Sequence, residues 1–220
     1  VKISKATLDI LKSYAAINSN LLIKAGSKIS TMSASKDIMA ECDVEEKFTT
    51  EAGIFNMSEF LGVVSLYEAP DFDFDSKFVT ISEGKQKVKY VYADAALLTV
   101  PTKTITMPKA EIEFSLSAGQ LQKIQKASAA LAVGDLAIVG DGKTIECQVL
   151  DAKNPSSNSY SIDLEATTTE KFAVYFKVEK LKLIPGDYDV EISSKKISKF
   201  TSKNIKLVVY VACEANSTFG

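Results

Sequence analysis

The chain contains no histidine, no tryptophan and no arginine; all 26 of its basic residues are lysine. Without histidine, most acid–base and nucleophile-activation schemes lose their usual general base. Without arginine there is no planar fork to read guanine edges or to clasp carboxylates in two bonds. Lysine offers instead a flexible point charge, suited to holding phosphate without reading sequence. Cysteine is scarce, three residues without close spacing, which fits buried thiols in a reducing compartment better than a disulfide framework. No apolar run approaches the roughly 20 residues that span a bilayer, and no signal peptide is expected. The net charge of −2 argues against a general basic coat but allows a lysine-lined face balanced by acidic surface elsewhere.

What is present is a repeat. Ser4 to Lys12 leads into Leu21 to Ile29 and then Ala40 to Val44. Past the midpoint Ser117 to Ile124 leads into Leu136 to Ile145 and then Glu146 to Val149. Each half reads as helix, strand, Gly turn and strand, with a Glu-Cys pair in the last strand, so that Cys42 and Cys147 occupy equivalent positions. A repeat of this kind constrains the whole fold.

Four short helices are expected. Ser4 caps the first, through about Ile17, with Leu8, Leu11 and Ala15 on one face. Asn56 and Glu59 start a second, Met57 to about Leu66, around Phe60, Leu61 and Val64. Ser117 and Gln120 form a capping box for a third, carrying Leu121, Ile124, Ser128 and Leu131. Val178 to Ile184 is a brief fourth, stopped by Pro185-Gly186. Between them the pattern is strand, with period-two alternation over 87–92 and 111–116. Gly26 and Gly140-Asp141-Gly142 sit where hairpin turns need positive φ. The stretch from Leu97 to Pro108, with two prolines and few helix formers, reads as a connector. The chain is therefore α+β, with an N-terminal domain over 1–108, ending in the connector at about 97–108, and a C-terminal domain over 109–220.

Lys5 and Lys12 share a face of the first helix, Lys123 and Lys126 lie opposite the apolar side of the third, and Lys177, Lys180 and Lys182 flank the fourth. Periodicity alone allows two readings, a phosphate-attracting channel or ordinary solvated faces with Asp9 pairing to Lys5 or Lys12. The second helix carries no lysine.

Two strand-rich repeats with helices, joined by an extended connector, resemble DNA polymerase sliding clamps, and those of T-even-like tailed phages in particular. The stretches that carry the resemblance are Lys2 to Lys5 with Leu11-Lys12 and Ala16 to Ser19, Phe60 to Leu66, Pro185 to Tyr188, and Val208 to Thr218. No single motif is diagnostic; their order and spacing are. The resemblance implies a clamp fold with helices lining the inner face and antiparallel sheets forming the outer wall. It implies a homotrimer, because a ring of six such domains needs three two-domain chains closed head to tail. It assigns the seven lysines to duplex DNA, and names a replicative polymerase and an ATP-dependent clamp loader as partners. The chain has no G-x-x-x-x-G-K-[ST] motif of its own, and no metal, cofactor or catalytic residue is expected. The resemblance also implies a pocket for short partner peptides, with Leu98, Val100, Pro185, Tyr210 and Ala212 as its residues. The setting would be the host cytoplasm. The rival is a structural ring or tube protein of a virion, also β-rich, repeated and poor in histidine.

Asp71-Phe72-Asp73-Phe74-Asp75 alternates strictly, placing three carboxylates on one face of a strand and two phenylalanines on the other. A calcium loop would need Gly at its sixth position and Glu at its twelfth; Ser76 and Ser82 stand there, so a charged, solvent-facing strand is the better reading.

Overall fold

The computed structural model describes residues 1–220, which divide into two compact units, Val1–Thr104 and Ile105–Gly220.

The first unit opens with α1 (Lys5–Ala15), capped by Ser4, whose hydroxyl accepts from the Thr7 amide. Then come β1 (Leu21–Ile23), β2 (Gly26–Met32), β3 (Ile38–Phe48), β4 (Ala52–Ile54) and α2 (Met57–Val64), whose first two free amides are satisfied by the Asn56 carboxamide. Three further strands complete it, β5 (Asp71–Phe74), β6 (Phe78–Glu83) and β7 (Gln86–Val91). Strand β1 pairs with β4, β2 with β3, and β5–β6–β7 form a meander, all antiparallel. Helices α1 and α2 pack on one another, and α1 also meets β3. The buried stripe of α1 is Thr7, Ile10, Leu11 and Tyr14 rather than the expected Leu8, Leu11 and Ala15. The i, i+3, i+4, i+7 spacing is the same helical one, rotated so that the largest side chain, Tyr14, lies inside.

The second unit contains β8 (Ile112–Leu116), α3 (Ala118–Leu131), β9 (Asp135–Asp141), β10 (Thr144–Leu150), β11 (Tyr160–Thr167), β12 (Lys171–Lys177), β13 (Tyr188–Ser193), β14 (Ile197–Ser202), β15 (Leu207–Ala212) and the two-residue β16 (Thr218–Phe219). Strands run in the order β11-β10-β9-β12-β16 in one sheet, and β8, β13, β14 and β15 are neighbours in a second run, all antiparallel. The alternating burial of β8, with Ile112, Phe114 and Leu116 inside, is the half-buried pattern its sequence announces.

Three expectations are corrected. The fourth helix is only a 3₁₀ turn over Val178–Lys180, with no side-chain cap. Beyond it Leu181 and Leu183 are buried and Lys182 is exposed, a period of two, so the segment is extended and the helical reading mistook its alternation. Cys42 and Cys147 are not equivalent. Cys147 lies in β10, the strand that follows the Gly142 turn, whereas a further hairpin over 33–37 separates Gly26 from Cys42 in β3. Finally, Gly140 has no positive φ; only Gly142 does, at 91°. Gly140 is needed for another reason, since a Cβ there would stand 2.4 Å from the Phe172 ring. The turn itself is held by the Asp141 carboxylate, which accepts from the amides of Lys143 and Thr144 at 2.8 Å each.

Candidate nucleic-acid interface

Helix α3 contains no acidic residue, and its exposed positions include Gln122, Lys123, Gln125 and Lys126. Its inner side is Leu121 and Ile124. The helix is fixed at both ends. A full capping box joins Ser117 and Gln120, and the Asp187 carboxylate accepts from the Ala118 amide at 2.7 Å. At the far end the Ser128 hydroxyl donates to the Val133 carbonyl at 2.5 Å. Ala132 closes the helix in the left-handed region, at φ 52°, where an L side chain is strained and glycine is not. Ala132→Gly is therefore expected to raise stability by about 1 kcal/mol, read as a higher denaturant midpoint with an unchanged slope.

On α1 both Lys5 and Lys12 are exposed. Lys12 approaches the Asp9 carboxylate at 3.4 Å with both side chains largely in solvent, a pair worth little and easily exchanged. The helix is tied to the sheet by Glu46 of β3, buried at 7 % exposure. Its carboxylate accepts from the Ser4 amide at 2.5 Å and from the Thr7 hydroxyl at 2.6 Å. Burial pushes this carboxyl up, but the hydrogen bonds outweigh it and hold its pKa below the ordinary value.

The remaining lysines sit differently. Lys177 donates to the Asp135 carboxylate, itself buried and held also by the Ala152 amide at 2.9 Å. Burial raises the Asp135 carboxyl, while Lys177 and the Ala152 amide bring it below its usual range. Lys180 donates to Glu214 at 2.9 Å. Lys182 is exposed on the extended segment. The structure thus puts Lys123 with Lys126, and Lys5 with Lys12, on exposed helix faces, Lys12 in a solvent-exposed pair with Asp9, and places Lys177 and Lys180 in closer ion pairs.

Of the peptide-pocket residues, Leu98 is half-buried in the first unit, its Cδ1 3.2 Å from where a Cβ on Gly53 would stand. Val100 is half-buried too. The neighbouring Thr99 is clamped: its carbonyl accepts from the Asn18 carboxamide at 2.7 Å, and its amide donates to Asn20 at 3.1 Å. In the second unit, Tyr210 and Ala212 lie on β15, and the Tyr210 hydroxyl donates to the Ile105 carbonyl at 3.4 Å. Pro185 is exposed and lines a cleft of about 300 Å³ against α3, with Leu121, Gln122, Gln125 and Leu183. Glu46, Asp135, Gln122 and Gln125 were not singled out by sequence. The alternation of β3 puts Glu46 on the side of Cys42, Val44 and Phe48 and Glu45 with Asp43 and Lys47, and acid-free α3 could have flagged Gln122 and Gln125.

The C-terminal half matches the family described as "gp45 sliding clamp, C terminal" over residues 113–215. The sliding clamp of Vibrio phage KVP40 is 32% identical over 222 residues, covering 98% of this chain and all of that one. Among solved structures, the Helicobacter pylori beta clamp bound to a DNA ligase peptide superposes with a TM-score of 0.73 at 12% identity, over 98% of this chain and 65% of that one. A. fulgidus PCNA bound to the C-terminal region of FEN-1 gives a TM-score of 0.69 at 12% identity, over 96% of both chains.

Proposed function

The chain belongs to the sliding-clamp family, as its match along nearly the whole length of a phage clamp shows, and on that premise we propose that three copies close head to tail into a ring around duplex DNA. The ring tethers the replicative polymerase and has no chemistry of its own. An ATP-dependent loader opens and closes it, in the cytoplasm of the host. The full-length likeness to a clamp leaves the virion tube without support.

The observation that carries the reading is the acid-free outer face of α3, where Lys123 and Lys126 stand unpaired among glutamines. A ring needs no tight grip, because topology replaces affinity. Its contacts must be weak, mobile and blind to sequence, which suits exposed lysine. Lys5, Lys12 and Lys182 belong to the same set in this reading. Lys177 and Lys180 serve first to hold Asp135 and Glu214. On the second unit, Tyr210 and Ala212 of β15 and the exposed Pro185 are proposed contacts for apolar partner peptides. On the first unit, Leu98 and Val100 are proposed as connector contacts for peptides of the same kind.

Light scattering over a dilution series at moderate salt tests the ring. A species of three chains that dissociates only on dilution is the expected result. It should stay on closed circular DNA after loading and leave linear DNA. A strict monomer throughout, or open-ended assemblies, would overturn the reading.

A further inference from the structure

The segment that leaves the first unit is held by side chains rather than by a strand. After the 3₁₀ turn over Ala95–Leu97 the chain joins no helix or strand up to Thr104, yet Leu98, Thr99, Val100 and Pro101 are all half-buried. Thr99 is gripped at both of its backbone groups. Asn20 Oδ1 accepts from its amide at 3.1 Å, and Asn18 Nδ2 donates to its carbonyl at 2.7 Å. In an antiparallel pair a neighbouring strand exchanges both of these bonds with one residue. Here two carboxamides take that strand's place.

Neither asparagine is loose. The Asn18 amide donates to the Tyr14 carbonyl of α1 at 2.9 Å. Its Nδ2 donates also to the Met32 carbonyl at the end of β2, at 2.8 Å, and its Oδ1 accepts from the Asn20 amide at 2.9 Å. Asn20 is 9 % exposed and donates through Nδ2 to the Phe55 carbonyl at 2.7 Å. Between them the Ser19 carbonyl accepts from the Met57 amide at the start of α2, at 2.8 Å. Carbonyls face each Nδ2 and amides face each Oδ1, a demand that only a carboxamide meets in full. A second seat is Gly53 of β4. Its carbonyl accepts from the Ala93 amide at 2.9 Å, and a Cβ on it would stand 2.4 Å from the Ala93 carbonyl oxygen. Leu98 has extended backbone, φ −97° and ψ 137°, and Val100 is biased to it by Pro101. Leu98 and Val100 then share one face, opposite the Thr99 side chain. A slip of one residue would turn both to the other face.

We propose that Asn18 and Asn20 are positioning residues for partner binding: their carboxamides act as a surrogate strand that fixes the register of the connector and so the face on which Leu98 and Val100 meet an apolar partner peptide. The inference rests on the connector contacts proposed above and adds to them the part that holds them in place. A segment held this way is competent only while the clasp is closed, and apparent affinity scales with that fraction. Each neutral hydrogen bond shifts such a balance by about two- to tenfold.

The test measures binding of the replicative polymerase encoded by the same genome, with hydrogen exchange at the Thr99 amide, native mass, short-duplex affinity and melting curves as companions. Asn18→Asp puts an acceptor where two carbonyls need a donor. Thr99→Pro removes the amide that Asn20 holds, in a connector whose Leu98 backbone already suits a following proline. Both should weaken polymerase binding by about tenfold, with native mass and duplex affinity unchanged. In Asn18→Asp the Thr99 amide should also exchange about tenfold faster. Asn20→Leu should behave like Asn18→Asp. Asn20→Asp keeps the oxygen that accepts from Thr99, and the Ser19 hydroxyl, 3.5 Å from the side chain, is able to donate to the other oxygen; it should retain most of the affinity. Aspartate tolerated at 20 and not at 18 is a pattern that general loss of stability does not produce. Full polymerase binding in Asn18→Asp and Thr99→Pro, equal losses for Asn20→Asp and Asn20→Leu, or a parallel fall in native mass and duplex affinity would overturn the clasp. A Leu98→Ser/Val100→Ser variant that still binds the polymerase would instead overturn the connector contact on which it rests.

Discussion

Replacing Lys123 and Lys126 by glutamate should cut the affinity of the assembled protein for a short linear duplex by about 10- to 100-fold at low salt, and flatten its salt dependence. The reasoning is electrostatic. Both side chains are exposed, neither has an acidic neighbour on α3, and the helix is pinned at each end by Ser117, Gln120, Asp187 and Ser128. They are fixed in position at their Cα atoms and free at their tips. Each contact to phosphate releases counterions, so losing lysines lowers the slope of log affinity against log salt by about one per contact removed. The loss should be the same for any duplex sequence, since lysine without arginine reads backbone rather than base edges. Replacing Lys47 of β3 and Lys77 of the β5–β6 turn, exposed lysines outside the helices, should change affinity by about twofold at most. A sequence-dependent loss, or an equal effect of the control pair, would remove α3 from the DNA contact.

The sequence displayed these lysines readily because capping signals and helical spacing are local. Ser4, Asn56 and Ser117 each stand one residue before the helix they start. The apolar periods of α2 and α3 have no competing pattern. The segment after Lys177 failed for the opposite reason. Leu181, Leu183 and the intervening Lys182 satisfy a short helix and a short extended run equally well over so few residues, and only the missing cap argued against the helix. The false equivalence of Cys42 and Cys147 arose because two Glu-Cys pairs outweighed the strand count: Cys42 lies on the third strand after its helix and Cys147 on the second. The clamp fold was legible through the order of many weak signals. The partners of individual lysines were not, since Lys177 with Asp135, and Lys180 with Glu214, meet across 42 and 34 residues of sequence.

Glu46 is the contact on which α1, and with it Lys5 and Lys12, depends. Glu46→Ala should lower the stability of the first unit by about 3 kcal/mol, because it leaves the Ser4 amide and the buried Thr7 hydroxyl without their charged acceptor. That corresponds to a fall of about 10 °C or more in its melting temperature. Glu46→Gln keeps the shape but places an amide donor against one of two donors, and should cost less. The two variants separate in their response to acid. The Glu46 carboxyl has a folded pKa below its unfolded value, so it binds its proton less readily when folded. Its contribution is fully present above the unfolded pKa, near 4.3, and is lost as pH falls through the folded value. Wild type should therefore exceed Glu46→Gln in stability at neutral pH, and the gap should close progressively below about pH 4. Urea unfolding of both proteins from neutral pH down to strong acid measures it. A gap that stays constant would mean that the carboxylate's charge is not what holds the helix. If DNA affinity fell in Glu46→Ala with Lys5 and Lys12 still in place, the cause would be a displaced α1, and the wall that meets DNA would be shown to need the buried acid beneath it.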